Sequence, residues 1–489
     1  MVIAHVVPKQ ARPPARGGIV ELESTRPPTK VGMQTIAAPA TLSLIGNTPL
    51  TLLQGFDTGP CSVFLKLESQ NPGGSIKDRM AVAMIEAAEN RGVLRPGQTL
   101  VEATAGNTGI GLALVAAIKN YRLILVIPDK MSPEKIAHAR ALGAEIRLTR
   151  SDVTPGHPDY YQDLAARIAC ETSGSHHINQ FGNPANPAAH ERTTGPEIWE
   201  QMHQDVDAIV CGVGSGGTIT GLSRYFARVQ PHLEMVLADP EGSSLYEIVR
   251  SGRHVPSGSY AVEGIGGSCV PAIADLSRVR TAYAIPDVES FQTARTLLKR
   301  TGIFAGSSSG TLLAAALRYC RAQTAPKRVV TFVCDTGAKY LSKMYNDYWM
   351  LDQGYIERPL AGNLRDLVTR KYGEGAVITV GPEDPLLTAF QRMRMADISQ
   401  VPVMEDSRCV GVLDESDLLL AVHEDESRFR ALVRTAMTSR LETIAPEEGI
   451  DRLYDILNRG LVALVLDGGQ FLGLITRADL LSYLRRRLQ

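Results

Sequence analysis

The chain has 489 residues, 44% hydrophobic and 21% charged, with a formal net charge of −1, an ordinary soluble globular composition with length for roughly two to four domains. That balance gives no reason to expect nucleic acid or an anionic membrane as partner, and no apolar run approaches the roughly 20 residues of a membrane helix. Seven scattered cysteines without a Cys-x-x-Cys pair fit the reduced thiols of a cytoplasmic protein and speak against a disulfide framework or zinc site. The pair His176-His177 lacks neighbouring ligands, so no metal is expected.

Residues 1–40 mix Pro, Arg, Gly and Thr without periodicity and without the apolar stretch of a signal peptide, which predicts a flexible arm. Order is expected to begin near Leu42. Val63, Phe64, Leu65 and Leu67 form a strand-like run. The stretch Asn71-Pro72-Gly73-Gly74-Ser75-Ile76-Lys77-Asp78-Arg79 then breaks regular structure. Ala81, Met84, Ile85 and Ala88 follow at helical spacing, with Ser75 as the expected N-cap. One amine is thus presented at the mouth of a helix. Lysine forms Schiff bases with carbonyl compounds, but most lysines are simply solvated, so its meaning depends on the loops that follow.

From there to about residue 340 short apolar runs alternate with helical patterns: Leu100-Val101, Leu123–Ile127, Ala208–Cys211, Met235–Ala238 and Val329–Cys334. Such alternation predicts βαβ units and a mostly parallel sheet, with ligands at the loops beyond the carboxyl ends of strands. The loop Thr104-Ala105-Gly106-Asn107-Thr108-Gly109 precedes a helix from Ile110. It fits an anion seat, such as one for a carboxylate, and equally a plain strand-to-helix turn. Gln180 opens the loop running to Pro187 and offers amide donors. Gly212-Val213-Gly214-Ser215-Gly216-Gly217-Thr218, before a helix from Ile219, is a glycine-dense nest suited to phosphate. It is not a Walker A loop. A dinucleotide is disfavoured because the nearest acidic residue, Asp239, is expected in a loop, so a single phosphate monoester fits better. A serine run, Ser307-Ser308-Ser309, precedes another helix, and the last strand ends at Cys334-Asp335-Thr336.

An aldehyde-seeking lysine, a nest for one phosphate and a polar loop for a carboxylate describe pyridoxal phosphate with an amino acid. In these motifs and their order, over about residues 42 to 350, the chain resembles the tryptophan-synthase-β-like, fold type II pyridoxal phosphate enzymes. Within them it resembles the cystathionine β-synthase and cysteine synthase family. The resemblance implies two α/β subdomains, Lys77 as Schiff-base lysine, and Asn107 on the cofactor's phenolic oxygen. It implies Gly214, Ser215, Gly216, Gly217 and Thr218 as phosphate cradle, and Thr336 on the pyridine nitrogen. Thr104, Thr108 and Gln180, in a substrate loop with Ala105 and Gly106, would take the substrate carboxylate. It further implies a hydro-lyase-type β-replacement in which Lys77 is the general base, and a homodimer or higher homo-oligomer. The substrates would be serine with homocysteine, or O-acetylserine with sulfide. Ala105 stands where many members have serine, Gly267 where some have tyrosine, and Cys334 where they have proline, which leaves the second substrate open. No heme is expected, because His5 is the only histidine before the core and the first cysteine is Cys61, inside it.

The pattern changes around Trp349. A catalytic region over 41–350 and a linker over 351–361 are followed by two related units, 362–425 and 430–489. Thr379-Val380-x-Pro382 recurs as Thr443-Ile444-x-Pro446, and Gly411-Val412-Leu413-Asp414 with Asp417 recurs as Gly473-Leu474-Ile475-Thr476 with Asp479. The tandem resembles a CBS (Bateman) domain pair, which implies adenosyl ligands in clefts between the copies. Thr476 and Asp479 match the family's ribose and phosphate holders. Asp417 matches in the first copy, but Asp414 replaces the hydroxyl and would repel a phosphate. S-adenosylmethionine, with AMP as runner-up, is the expected effector. A purely structural or dimerising module is the alternative. The fused module, with the run Lys339–Met350, tilts the resemblance toward the cystathionine synthases. A catalytically silent adenosyl-ligand sensor is the competing class, and intact Lys77, Asn107 and Gly214–Thr218 argue against it.

Overall fold

The computed structural model describes residues 41–486 apart from 105, 130, 155 and 424, so the expected N-terminal arm and Ala105 lie outside the described residues. Two sheets organise the first part. The larger has six strands in the spatial order Leu50–Leu52, Ser62–Lys66, Arg328–Phe332, Ala208–Cys211, Glu234–Pro240 and Val279–Ile285. Only its first pair is antiparallel. The smaller has four parallel strands in the order Glu145–Thr149, Arg122–Pro128, Thr99–Ala103 and Ser175–His177.

The small sheet explains why its strands read as unbroken apolar runs. Leu100, Leu123 and Leu125 pack with Met80, Met84 and Ile85 under the helices Lys77–Asn90 and Asn107–Lys119. Val101, Ala103, Ile124 and Val126 face the opposite way, onto Ala165 of the helix Tyr161–Glu171. Both faces are covered, so the period of two is hidden, as parallel sheets require. In the large sheet the Arg328–Phe332 strand lies between Ser62–Lys66 and Ala208–Cys211. This brings the ends of three strands distant in sequence to one crevice.

Local expectations shift at four places. Ser75 is not the N-cap: the helix begins at Lys77 after Ile76, and the Ser75 hydroxyl only accepts from the Lys77 N–H at 3.3 Å. Asp239 is not in a loop but near the end of the strand Glu234–Pro240, where its buried carboxylate accepts from the Tyr246 N–H at 2.8 Å. The loop after Gln180 ends sooner than Pro187, because Ala185–Ala189 is helical. The serine run does not precede its helix but begins it, Ser307–Arg321.

The C-terminal part repeats one design. Each copy has an antiparallel hairpin, Gln400–Glu405 with Arg408–Asp414 and Ala463–Asp467 with Gln470–Ile475. Each hairpin has an equivalent register shift, at Val403/Met404 and Val465/Leu466. The connecting turns both demand positive φ. The first copy meets this with Asp406 (47°) and Ser407 (65°), the second with Gly468 (56°) and Gly469 (86°). Thr443–Ile444 pairs in parallel beside the second hairpin, and Val380 makes the corresponding single bridge to Val403 in the first.

Candidate active site

Lys77 stands on a loop tied down from several sides. The Ile76 N–H donates to the Cys334 carbonyl at 2.8 Å, and the Gly73 N–H to Asp78 at 2.5 Å. A Cβ on Gly73 would lie 2.6 Å from that carboxylate, so the position requires glycine. Arg79 grips Glu68 (2.7 and 2.8 Å) and Glu197 (2.6 and 2.7 Å) in paired bonds, and Lys66 closes the cluster on Glu197 at 2.8 Å. Such charge-assisted, bidentate bonds are strong and directional. They fix the first turn of the helix and with it the lysine. Lys77 keeps part of its surface open to a cavity, yet protein surrounds its amine. Burial holds the amine below the ordinary lysine range, opposed by Cys334 and Asp335. A less charged amine is a better nucleophile and base.

The cavity above it measures about 520 Å³, and a narrow extension of about 30 Å³ runs into the glycine nest. Gly214 and Ser215 line both, and Gly216, Gly217 and Thr218 line the extension. Gly216 has φ +89°, which favours glycine, and a Cβ on Gly217 would fall 1.9 Å from the Asn186 side chain. That amide donates to the Ser215 hydroxyl at 2.9 Å and so buttresses the nest. The 13-residue helix Gly217–Val229 presents its N-terminal amides there. His190 pairs with Thr218 at 3.3 Å, and burial, then Lys77 and Arg79, holds its imidazole well below its usual range, so it stays neutral beside the nest.

Thr104, Gly106, Thr108 and Gln180 all line the larger cavity. Their hydrogen bonds differ from the sequence expectation. The Thr104 hydroxyl accepts from the Gly106 and Gly109 N–H groups at 3.1 and 3.3 Å, capping the Asn107–Lys119 helix. Gln180 spends its amide donors on the Ala103 carbonyl (3.0 Å) and Glu102 (3.2 Å), and accepts from Thr108 at 2.8 Å. Gln180 is thus built into the wall rather than left with free donors for a guest. Glu102, which sequence reasoning passed over, lies beneath it. Burial pushes its carboxyl up to about 8 against the donors of Gln180.

Asn107 lines both cavities, donates to Asp335 at 2.6 Å and accepts from Lys339 at 2.9 Å. Lys339 also donates to the Gly73 and Gly74 carbonyls, at 2.8 and 3.2 Å. Burial lowers it to about 8, with Asp335 and Asp78 opposing. The expectation for Thr336 needs correcting. It lines neither cavity, because its hydroxyl turns back to accept from the Ala338 N–H at 3.3 Å and caps the turn Gly337–Tyr340. A hydroxyl that does line the narrow extension with Lys77 and Asn107 is Ser308, beside the Cys334 thiol, which burial pushes up to about 12 and keeps neutral. Its signal in sequence was the serine run, which read only as the approach to a helix.

In the tandem, a cleft of about 620 Å³ between the copies is lined by Ile378 and Pro402 from one and by Leu461, Thr476 and Asp479 from the other. Asp479 accepts from the Thr476 N–H (2.8 Å), its hydroxyl (2.6 Å) and the Thr369 hydroxyl (2.7 Å). A smaller cleft of about 120 Å³ is lined by Asp414, Asp417 and Arg440. There the same cap is made by two carboxylates, with the Asp417 N–H donating to Asp414 at 2.8 Å and the Asp414 N–H to Asp417 at 3.2 Å. Tyr348, from the short helix Asp347–Asp352, reaches the larger cleft, while Trp349 and Gln353 line the cavity of Lys77.

Residues 41–335 match the family described as pyridoxal-phosphate dependent enzyme, and residues 364–424 and 433–486 match CBS domains. The chain is 32% identical over 467 residues to cystathionine beta-synthase of Dictyostelium discoideum, with 92% of each chain covered. It is 40% identical over 301 residues to cysteine synthase A of Escherichia coli (strain K12), covering 61% of this chain and 92% of that one. Among solved structures it is similar to a hydrogen sulfide-producing enzyme from Fusobacterium nucleatum, with a TM-score of 0.59 and 35% identity over 62% of this chain and all of that one.

Proposed function

The chain belongs to the pyridoxal-phosphate dependent enzymes and carries a CBS domain pair, and from that premise we propose that it catalyses a β-replacement condensing L-serine with L-homocysteine to cystathionine. The observation that carries this reading is one cavity lined by Lys77, by Gly214 and Ser215 of the glycine nest, and by Thr104, Gly106, Asn107 and Thr108. The donor set fits pyridoxal phosphate. Lys77 is the amine for its aldehyde, and the nest and helix end at Gly214–Thr218 suit its phosphate. Asn107 suits its phenolic oxygen, and Ser308, in place of Thr336, offers a neutral hydroxyl to its ring nitrogen. When bound, the group supplies the electron sink that lets a bond at Cα break. The protein does the rest. The Thr104–Thr108 loop seats the serine carboxylate, with Gln180 holding Thr108 in place. The Lys77 amine takes the Cα proton as general base. A neutral Ser308 leaves the sink weaker than a carboxylate partner would, which favours loss of the β-substituent over other outcomes at Cα.

Similarity over 92% of each chain to cystathionine beta-synthase of Dictyostelium discoideum supports serine and homocysteine. Similarity to cysteine synthase A supports the second reading, O-acetylserine with sulfide, on the same residues. A steady-state comparison of the two pairs separates them. Faster turnover of O-acetylserine with sulfide by a large factor would reject the first reading. The Thr476/Asp479 cleft is proposed to take an adenosyl effector, S-adenosylmethionine before AMP. The acidic pair Asp414/Asp417 leaves the smaller cleft the poorer site. Isothermal titration with both ligands tests this, and no heat from either would refute it.

A further inference from the structure

The cavity is larger than its floor requires. Lys77, the nest and the Thr104–Thr108 loop account for the cofactor and the first amino acid. Two further lysines line the same cavity, Lys135 and Lys343. Both lie on Glu263, one on each carboxylate oxygen, at 2.6 Å each. The two lysines are not equivalent. The Lys135 side chain is 2% exposed and donates also to the Tyr340 hydroxyl at 2.9 Å, so it is an internal brace. Lys343 is 19% exposed and is the one a guest can reach.

The backbone that carries Glu263 is tied down. Its own N–H donates to the Ser307 hydroxyl at 3.1 Å, and the N–H groups of the two residues before it donate to Asp287 at 2.7 and 3.1 Å. Burial pushes its carboxyl up, but Lys135 and Lys343 outweigh burial and hold it below the usual carboxylate range. The three side chains together carry one positive charge in a wall where Lys135 and Glu263 are buried, and there an anion is attracted more strongly than in water.

We propose that Lys343, held in place by Glu263 and braced through it by Lys135, receives the carboxylate of the incoming second substrate, so that this substrate is an amino-acid thiol and not inorganic sulfide. This rests on the β-replacement reading above and adds to it the residue that would select an amino-acid thiol over sulfide. Sulfide and carboxylate-free thiols have nothing to offer Lys343, whereas homocysteine places a carboxylate at the end of a short aliphatic chain from its sulfur. A charge-assisted bond of this kind is worth a tenfold or larger effect on affinity, by order of magnitude about 1.5–3 kcal/mol.

The test uses the full-length, cofactor-loaded enzyme with saturating serine and three nucleophiles: homocysteine, its carboxylate-free analogue 3-aminopropane-1-thiol, and sulfide. The wild type is expected to show a KM for homocysteine at least about tenfold below that for the analogue. Lys343→Met should raise the homocysteine KM by about tenfold or more while the KM values for the analogue and for serine stay put, and Lys343→Arg should recover most of the loss. A wild type indifferent to the carboxylate overturns the inference alone. So does a Lys343→Met variant whose KM rises equally for both organic thiols, or for serine. A wild type that forms no thioether and no cysteine with any nucleophile overturns the β-replacement reading itself.

Discussion

The cavity of Lys77 and the clefts of the tandem are built on opposite plans. Around Lys77 nearly every polar group is tied to another across long stretches of chain: Arg79 to Glu197, Asn107 to Asp335, Lys339 to Gly73, Lys135 to Glu263. The site is preorganised by burial, and its groups are shifted in acidity as a result. In the tandem the defining groups are local helix caps, Asp414 with Asp417 and Thr476 with Asp479, only three residues apart. One plan is rigid and intolerant of change. The other tolerates exchange of a hydroxyl for a carboxylate between two copies of the same backbone device. Changes in the first should abolish function or stability, and changes in the second should only tune affinity.

The largest expected effect is at the rigid site. Lys77→Ala should lower turnover by about 10³-fold or more and remove the protein-linked cofactor absorbance. An unchanged spectrum would show that the lysine is not the anchor. Next comes Glu102. In the unfolded chain this carboxyl ionises near its ordinary value of about 4.3, whereas burial holds it up to about 8 in the folded protein. Between those values the folded state keeps a proton that the unfolded state has lost, so stability falls as pH rises through the window. Asp78, raised to about 7, has the same sign. Glu102→Gln should therefore flatten the loss of Tm between pH 5 and pH 8 relative to wild type, by a stability difference on the order of a few kcal/mol. Parallel curves would contradict the assignment.

Smaller again is Gly217→Ala. Its Cβ would meet Asn186 at 1.9 Å, so the nest must deform, and overpacking of this kind costs roughly 1–3 kcal/mol. Cofactor dissociation monitored by dialysis should show affinity about tenfold weaker or more, with the fold intact by circular dichroism. The smallest effect belongs to the tandem. Asp414→Thr keeps an N-cap residue but removes a carboxylate from the small cleft. Titration with AMP should show tightening of about fivefold there, the scale of one screened charge interaction of about 1 kcal/mol. Equal heats in both proteins would mean the carboxylate has no bearing on the ligand.

The same contrast decides what could be read from the residues. The glycine nest, the lysine loop and the duplicated caps are local in sequence, and their spacing carries their geometry. The strands were legible as apolar runs because both faces of the small sheet are covered. What stayed hidden depends on distant partners. Ser308 reached the cavity while Thr336 turned away, because the strand Arg328–Phe332 ends just before a turn that takes Thr336 as its cap. Gln180 was expected to face a guest, yet Glu102 and Ala103 claim its donors from 78 and 77 residues away. Ser75 read as a cap from its residue type alone, but the chain from Ser75 to Ile76 is already engaged with Asp335 and Cys334.

That last engagement has a bearing on biosynthesis. The two strands that flank the centre of the large sheet, Ser62–Lys66 and Ala208–Cys211, are joined only through Arg328–Phe332. The lysine loop is pinned to the residues immediately beyond that strand. Lys77 is made early, but its mount is finished only when the chain has grown past Thr336. Contacts so far apart in sequence are slow to form, and a growing chain holds its unfinished apolar edges open in the meantime. The mount of Lys77 is therefore completed only after a long sheet has been made, and cofactor capture is expected to follow the folding of that sheet and not to nucleate it.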